Sequence, residues 1–532
     1  MVTITSPRAV AFGRSQMNSV RERIERVTED LNDIKTFLPI GISGLRLLQQ
    51  QPFEYYDQQE KVDYLLIKNY LERQLRDLEL DIKQDKKATP LLPFADTLVN
   101  LCEDRALVVP IDPEDVAQKL CEVDGQITTI IARIKAGSKD VLMEKTSAFR
   151  ASKTTDSLRS HLKEWYGFYK GYDPSFDWWV SQPYSMVDKK LEIASDVIRE
   201  RLVGIDPGNE DAIVGDPIGR EGVISELRAE VIPYTPEEVI AIGEKEFQWC
   251  IKELKKASQT MGLQDKWKEA LEQVKNDYVE PGQQTQLVLD LVEEAVSFVK
   301  EHDMITVPLI AKETWQLFMM SPKLFYPVDT MDHGAKLMSM RGNIIHFSRA
   351  TVFHEMIPGH HLQMHMNARH KPHRRLFDTP FWIEGWSLYW EFILWDDERF
   401  AKTPRNRIGM LFWRLHRCAR IIFSVKFHLG QMAPQECIDL LVNEVGHERA
   451  TAEGGVRRSL NGDYSPLYQA GYMLGALQIY ALRKEVVDTH YMAEKVFHDR
   501  FLQENRMPIE LVRALILNQP LSRDYQASWR FY

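Results

Sequence analysis

A cluster of histidines marks the part of the sequence where catalytic chemistry is concentrated. Eight of the 15 histidines lie between His333 and His373. In the middle of this window the chain reads FHEMIPGHHLQMH, in which His354 is followed at once by Glu355. This pair opens an H-E-x-x-H zinc helix, where histidines at i and i+4 face one metal ion and the glutamate serves as a base. The pattern therefore predicts a metal-activated hydrolytic site.

The second histidine does not stand where a regular helix needs it, because the i+4 position holds Pro358. On a regular helix His360 would lie about 240° around from His354, and His361 would regain the face but lie ~10.5 Å along the axis. Pro358 has no N–H to bond the carbonyl of His354, and Gly359 gives the chain freedom to turn. A local bulge would then bring His360 into the i+4 role. We prefer His360 as the second ligand, and His361 stays open as the alternative.

A third ligand is expected from the helical segment FWIEGWSLYWEF, which follows about 30 residues later. Glu384 in this segment completes the set of two histidines and a later glutamate that is typical of gluzincin-type zinc peptidases. Glu391, farther along the same segment, is the rival ligand. Such a set leaves a position for water, whose pKa the metal lowers toward ~7, and Glu355 could accept the water proton.

The elements that must position these residues are mainly helices. Apolar residues recur at spacings of three and four from Ser19 onward and again from Lys61 onward, as in amphipathic helices. Residues 342–349, GNIIHFSR, alternate apolar and polar side chains and predict a strand before the zinc helix, on which His346 is a candidate substrate contact. We expect a mainly α fold with one small β-sheet. A helical N-terminal lobe (residues 1–320) and a metal-binding catalytic lobe (321–532) should share one continuous structural unit.

Composition excludes several classes of function. The net charge of −10 disfavours a nucleic-acid partner, because phosphate binding needs clustered Lys and Arg. No apolar run approaches the ~18 residues of a bilayer span, and we expect no membrane partner. The five cysteines are scattered without C-x-x-C spacing, and no signal-peptide hydrophobic region is found. These features predict a cytoplasmic location, although the acid-free first 21 residues, with three arginines, faintly resemble an organellar transit sequence.

Several blocks resemble a known family. HEMIPGHHLQ, EGWSLYWE and YQAGYMLG are similar to the signature blocks of DUF885, a microbial family of unknown function placed among the gluzincin zinc peptidases. WYGFYKGYDPSFDWWV and GDPIGREGVISELRAEVIPYTPEEV extend the similarity upstream, so that it covers nearly the whole chain. The resemblance implies an all-helical body of two lobes around a deep cleft, one zinc ion and hydrolysis of peptide-like bonds. By motif position it implies His354, His360 and Glu384 as zinc ligands and Glu355 as the base.

One block departs from the family pattern. The usual P-G-Q-A-x-x-Y appears here as PLYQAGY, with Leu467 and Tyr468 where the glycine should be, while Gln469, Ala470 and Tyr472 keep the residue types of the pattern. Tyr472 could donate a hydrogen bond to the tetrahedral oxyanion of the reaction, or it could belong to the apolar core of its helix. We expect the departure to affect the substrate pocket more than the metal site.

Together these observations predict a zinc-dependent hydrolase whose substrate is a peptide or a small-molecule amide. Arg457 and Arg458 are candidates for binding a substrate carboxylate. Two alternatives stay open: a zinc hydrolase that acts on a small metabolite in a biosynthetic pathway, and a helical binding protein with a vestigial site. The sequence does not indicate an oligomeric state or the choice between exo- and endopeptidase cleavage.

Overall fold

The regular structure of the chain is helical. The computed structural model describes residues 42–209, 212–280, 282–314, 344–462 and 464–532. The helices before the histidine cluster are α1 (Gln58–Ala88), α2 (Ala95–Ala106), α3 (Pro113–Lys135), α4 (Lys145–Tyr169), α5 (Pro174–Ile198), α6 (Gly219–Ala229), α7 (Pro236–Thr260), α8 (Trp267–Lys275), α9 (Gln284–Glu301) and α10 (Leu309–Thr314). The later helices are α11 (Ile345–Glu355), α12 (His360–Asn367), α13 (Pro380–Asp396), α14 (Pro404–His428), α15 (Pro434–Asp439), α16 (Arg449–Leu460), α17 (Tyr468–Arg483), α18 (Glu494–Glu504) and α19 (Ile509–Ile516). The predicted mainly α fold class is confirmed.

The predicted β-sheet is wrong for the residues that the structure describes. Ile345 to Glu355 form helix α11, and the described residues contain one isolated antiparallel bridge, between Tyr278 and Ile344, instead of a strand. The alternation in GNIIHFSR is too short to exclude a helix, and tertiary packing decides the outcome. The ring of Phe347 stacks on Phe412 of α14 with centroids 4.3 Å apart, and the Ile345 amide donates to the Asp277 carbonyl at 2.9 Å.

Contacts divide the chain into two packing units. One comprises Met1–Gln50 and Gln74–Val214, of which the structure describes residues from 42 onward, and the other comprises Gln51–Arg73 and Gly215–Tyr532. The boundary expected between residues 320 and 321 and the helix expected from Ser19 both lie outside the described residues. The two-lobed cleft stays a prediction.

The unit that includes Gln74–Val214 is a helical bundle with its own apolar core. Its helix α3 shows why the sequence folds this way. Val116, Leu120, Val123 and Ile127 recur at spacings of three and four and are buried, so that one stripe of α3 packs against α5. The Asp112 side chain accepts hydrogen bonds from the amides of residues 114 and 115 and caps the start of α3.

The unit that includes Gly215–Tyr532 contains the histidine cluster. Its long helix α14 packs against α7, α11 and α17, while α13 lies along α17. Helix α7 begins with a capping box formed by Thr235 and Glu238, as the sequence TPEE predicts. None of the described helices combines the length and apolar composition needed to cross a membrane.

Helices α13 and α17 touch backbone to backbone, and this contact sets the position of Glu384. A Cβ atom on Gly475 would lie only 2.0 Å from the carbonyl oxygen of Phe381, and one on Gly385 would lie 2.7 Å from Gly475. Only glycine permits this approach. The contact places the start of α17, which carries Tyr468 and Tyr472, beside the turn of α13 that carries Glu384.

Candidate metal centre

The two histidines come from the facing ends of two short helices. Helix α11 ends at Glu355 and α12 begins at His360, with a turn over residues 356–359 that contains a cis Ile357–Pro358 peptide. A Cβ on Gly359 would lie 1.8 Å from the His354 carbonyl oxygen, so glycine is required for the chain to fold back here. The sequence predicted a bulge within one helix; the structure shows a complete break between two helices.

The turn brings three predicted ligands together. The ligand atoms of His354, His360 and Glu384 all lie within 4.8 Å of one another. The Nε2 atom of His360 lies 3.1 Å from Glu384 Oε2, and the Nε2 atom of His354 lies 3.4 Å from the same oxygen. Ligands bound tetrahedrally to zinc at ~2.0–2.1 Å are about 3.3 Å apart. The two distances from the histidines to Glu384 match this spacing.

Neighbouring side chains aim both imidazoles with Nε2 toward the centre. The Nδ1 atom of His354 donates to Glu391 Oε1 at 2.9 Å. Gln363 donates its amide N–H groups to the carbonyls of Trp382 and residue 383, so its oxygen is left to accept from His360 Nδ1 at 3.3 Å. With both Nδ1 atoms serving as donors, both Nε2 atoms face Glu384, and these are the nitrogens that can bind a cation when the rings are neutral.

The two rival ligands, His361 and Glu391, make other contacts. The Nε2 atom of His361 is 2.7 Å from the carbonyl oxygen of Ala311 in α10, and a carbonyl accepts, so this nitrogen carries a proton and points away from the centre. The Oε1 atom of Glu391 accepts a hydrogen bond from His354 Nδ1 and orients the His354 ring. His346, predicted as a strand residue, lies in α11, where its Nε2 is 3.2 Å from Asp277 Oδ2.

Two tyrosines of α17 adjoin the centre. The ring of Tyr472 lies nearly parallel to that of His354, with centroids 6.0 Å apart. Burial and the charge of Glu384 raise the pKa of Tyr472 well above its usual value, so the hydroxyl keeps its proton. Tyr468 donates a 2.5 Å hydrogen bond to Glu384 Oε1. The second oxygen of that carboxylate is thus held while Oε2 faces the histidines.

The charges of the centre depend on one another. Burial by itself lowers the pKa of His360, but the charge of Glu384, its hydrogen bond and the nearby Glu355 raise it to about 9. Burial would raise the pKa of Glu384, yet the two histidines hold it well below its usual value. Burial raises the pKa of Glu355, against the opposing effect of the histidines. Positive charge, as protons or as a bound cation, is what keeps Glu384 ionised.

The sequence comparison covers almost the whole chain. The family described as bacterial protein of unknown function, DUF885, matches residues 18–516. This chain belongs to the DUF885 family. The resemblance of the sequence blocks is thereby confirmed, while the relationship to gluzincin peptidases stays a prediction.

Solved structures share the fold of this DUF885 chain. A structure described as a putative lipoprotein of unknown function from Shewanella oneidensis is 18% identical, with a TM-score of 0.63 over 92% of this chain and 93% of that one. A second, described as the putative lipoprotein from Colwellia psychrerythraea, is 18% identical, with a TM-score of 0.50 over 77% of each chain. No match is found among curated proteins.

These descriptions contradict the predicted cytoplasmic location. Both solved structures are described as putative lipoproteins, which points to a membrane-anchored or exported location, whereas scattered cysteines and the lack of a signal-like segment suggested the cytoplasm. Few cysteines are weak grounds for a location, because exported proteins do not require disulfides. The prediction of a cytoplasmic location is wrong.

Sequence reasoning assigned no role at the metal centre to two residues of this DUF885 site. Gln363 stands three residues after His360, one helical turn away, and this spacing is the signal that a side chain could reach the His360 ring. Tyr468 stands at the departure from the family block, which the sequence associated with the substrate pocket. In the structure Tyr468 contacts Glu384 itself, so the departure reaches a predicted metal ligand.

Proposed function

We propose that this protein is a zinc-dependent hydrolase that cleaves peptide or peptide-like amide bonds with water, with Glu355 as general base. The observation that carries the proposal is the convergence of the Nε2 atoms of His354 and His360 on one oxygen of Glu384. Acceptor atoms this close repel one another unless protons or a cation lie between them. Two imidazoles and one carboxylate are the donors of many catalytic zinc sites.

The residues around the centre fit such an ion and the chemistry it supports. A bound Zn²⁺ supplies polarisation of the scissile carbonyl and a water molecule of lowered pKa. Glu355, directly after the first ligand and not part of the donor set, accepts the proton of the attacking water and passes it to the leaving nitrogen. Tyr472, which keeps its proton, donates a hydrogen bond to the oxygen that gains charge.

The arrangement of metal donors and base along the chain also supports a gluzincin-like relationship. Two histidines and a glutamate from a later helix form the donor set, and the base follows the first histidine directly, as in H-E-x-x-H peptidases. The intact base and ligands favour an enzyme over a binding protein with a vestigial site, because loss of function leaves such residues free to change.

The first test is metal content and hydrolysis of a peptide library by wild type and Glu355→Gln. We expect both proteins to bind one zinc ion, because Glu355 is not a ligand, and we expect Glu355→Gln to lose about 10²- to 10⁴-fold in rate. Glu398→Gln is the matched control, since Glu398 lies exposed just beyond α13 and should keep full activity.

Four results would overturn parts of the proposal. Wild type that retains no metal after loading with zinc contradicts the metal site, and hydrolysis that survives in Glu355→Gln contradicts the base. Preference for Fe²⁺, which two histidines and a carboxylate also bind, contradicts the zinc assignment. Activity on a small amide metabolite but on no peptide would replace the peptidase assignment by the metabolic one.

A further inference from the structure

A group of arginines lies beside the candidate metal centre. Arg417 and Arg420 stand one turn apart on α14, and their guanidinium carbons lie 5.7 and 4.7 Å from the ring centre of Tyr472. The ring of Tyr472 lies in turn 6.0 Å from that of His354.

Part of the Arg417 guanidinium has no acceptor among the described residues. Arg417 is buried, with 5% of its surface exposed, and Glu391 lies 3.5 Å from its Nη2. Its Nε and Nη1 atoms have no hydrogen-bond partner among the residues that the structure describes. Arg420 is half-buried, and no carboxylate of the described residues forms an ion pair with it. Buried guanidinium N–H groups without acceptors are costly.

Arg414, on the same helix, is an arginine with a structural role. Its guanidinium stacks on the rings of Trp249 and Phe392 at 4.2 and 3.9 Å, much as Arg420 stacks on Tyr472. The Nη2 atom of Arg414 also donates to Glu246 at 2.8 Å. At Arg417 and Arg420, next to the candidate centre, the missing acceptors are left for a ligand.

We propose that Arg420, with Arg417 beside it, binds a carboxylate of the substrate, so that the substrate is an amide with a free carboxylate close to the scissile bond, as at the C-terminus of a peptide. A guanidinium matches a carboxylate with two parallel hydrogen bonds. In the reaction the amide C–N bond breaks, the water oxygen forms the new C–O bond, and the water proton passes to the leaving nitrogen, which departs with the carboxylate-bearing residue. This substrate class rests on the proposed amide hydrolysis, and it selects the exopeptidase mode.

The test is a binding comparison that does not depend on turnover. N-acetyl-leucine and N-acetyl-leucinamide, which differ in the carboxylate, are titrated calorimetrically into the full chain, with its metal removed and again after zinc loading. We expect the acid to bind the metal-free wild type about ten- to a hundred-fold more tightly than the amide, as for a charge-assisted pair. Arg420→Gln should lose this preference, and Arg420→Lys should keep part of it.

Arg407→Gln is the matched control. Arg407 lies on the same helix, is half-buried, and stacks on Trp395 at 5.2 Å, so its loss should leave the acid preference unchanged. Equal binding of acid and amide by wild type, no binding of the acid, or an equal effect of Arg407→Gln would overturn the inference. Because the metal-free titration needs no zinc and no hydrolysis, failure of the hydrolase proposal would show separately, in metal content and turnover.

Discussion

Removal of the Glu391 carboxylate tests whether the hydrogen bond to His354 prepares this ring for a metal ion. Loss of a side chain that hydrogen-bonds a metal-binding histidine typically weakens metal affinity ~10–100-fold, which corresponds to about 1.4–2.7 kcal/mol. In Glu391→Gln an oxygen can still accept from His354 Nδ1 at the 2.9 Å position and only the charge is lost, so we expect a loss of about tenfold. In Glu391→Leu no acceptor remains, and we expect about a hundredfold. Competition with a chromogenic chelator at pH 7.5 measures both dissociation constants.

The control for Glu391 is another buried carboxylate that pairs with an arginine of α14. Glu246 accepts from Arg414 at 2.8 Å but contacts no histidine of the centre, so Glu246→Gln should lower the unfolding temperature and leave zinc affinity unchanged. Zinc affinity that stays at the wild-type value in Glu391→Leu would refute the role of this hydrogen bond. An equal loss in Glu246→Gln would show that general destabilisation, and not the contact with His354, is being measured.

Three further substitutions test other contacts. Gly359→Ala should weaken zinc binding by more than about a hundredfold, because the added methyl group would lie 1.8 Å from the His354 carbonyl oxygen; tight binding in a chelator titration would contradict this. Tyr468→Phe removes the 2.5 Å hydrogen bond to Glu384 and should weaken zinc binding about tenfold, with an unchanged dissociation constant as the opposing result. His498 tests pH dependence: burial lowers its folded-state pKa to about 4, against ~6.5 in the unfolded chain. Between these values the unfolded chain binds the extra proton, so the free energy of unfolding falls as the pH falls, by about 1.6 kcal/mol between pH 6.5 and pH 5 from this residue. Urea titrations of His498→Gln should show a pH 6.5-to-5 loss smaller by that amount, and an identical loss in both proteins would contradict the assignment.

The sequence predicts helices well where local signals are strong. Asp112 and Thr235 stand before a proline and acidic residues, and both cap helices at those points. The signal fails before the histidine cluster, because alternation over eight residues cannot be distinguished from one face of a short helix. The stacking of Phe347 on Phe412, from a helix far along the chain, decides that segment.

The types of the site residues are predictable, but their roles depend on tertiary contacts. Spacing could not separate His360 from His361; the contact of His361 with the Ala311 carbonyl makes the distinction, and it joins residues far apart in sequence. In the same way, Tyr468 is visible only as a departure from a family block. Its contact with Glu384 depends on the close approach of α13 and α17. The sequence shows the glycines that permit this approach, but it does not show which helix each glycine faces.

The order in which the centre's parts are synthesised follows from their places along the chain. His354, His360 and Glu384 fall within about 30 residues, so joining them closes only a short loop, and such closure costs little entropy. Tyr468 lies 84 residues beyond Glu384 and leaves the ribosome later. We expect a metal ion to be able to gather α11, α12 and α13 on the nascent chain, and α17 to arrive afterwards and fix the carboxylate. Zinc supplied during translation should therefore raise the yield of folded protein more than zinc added to the finished chain.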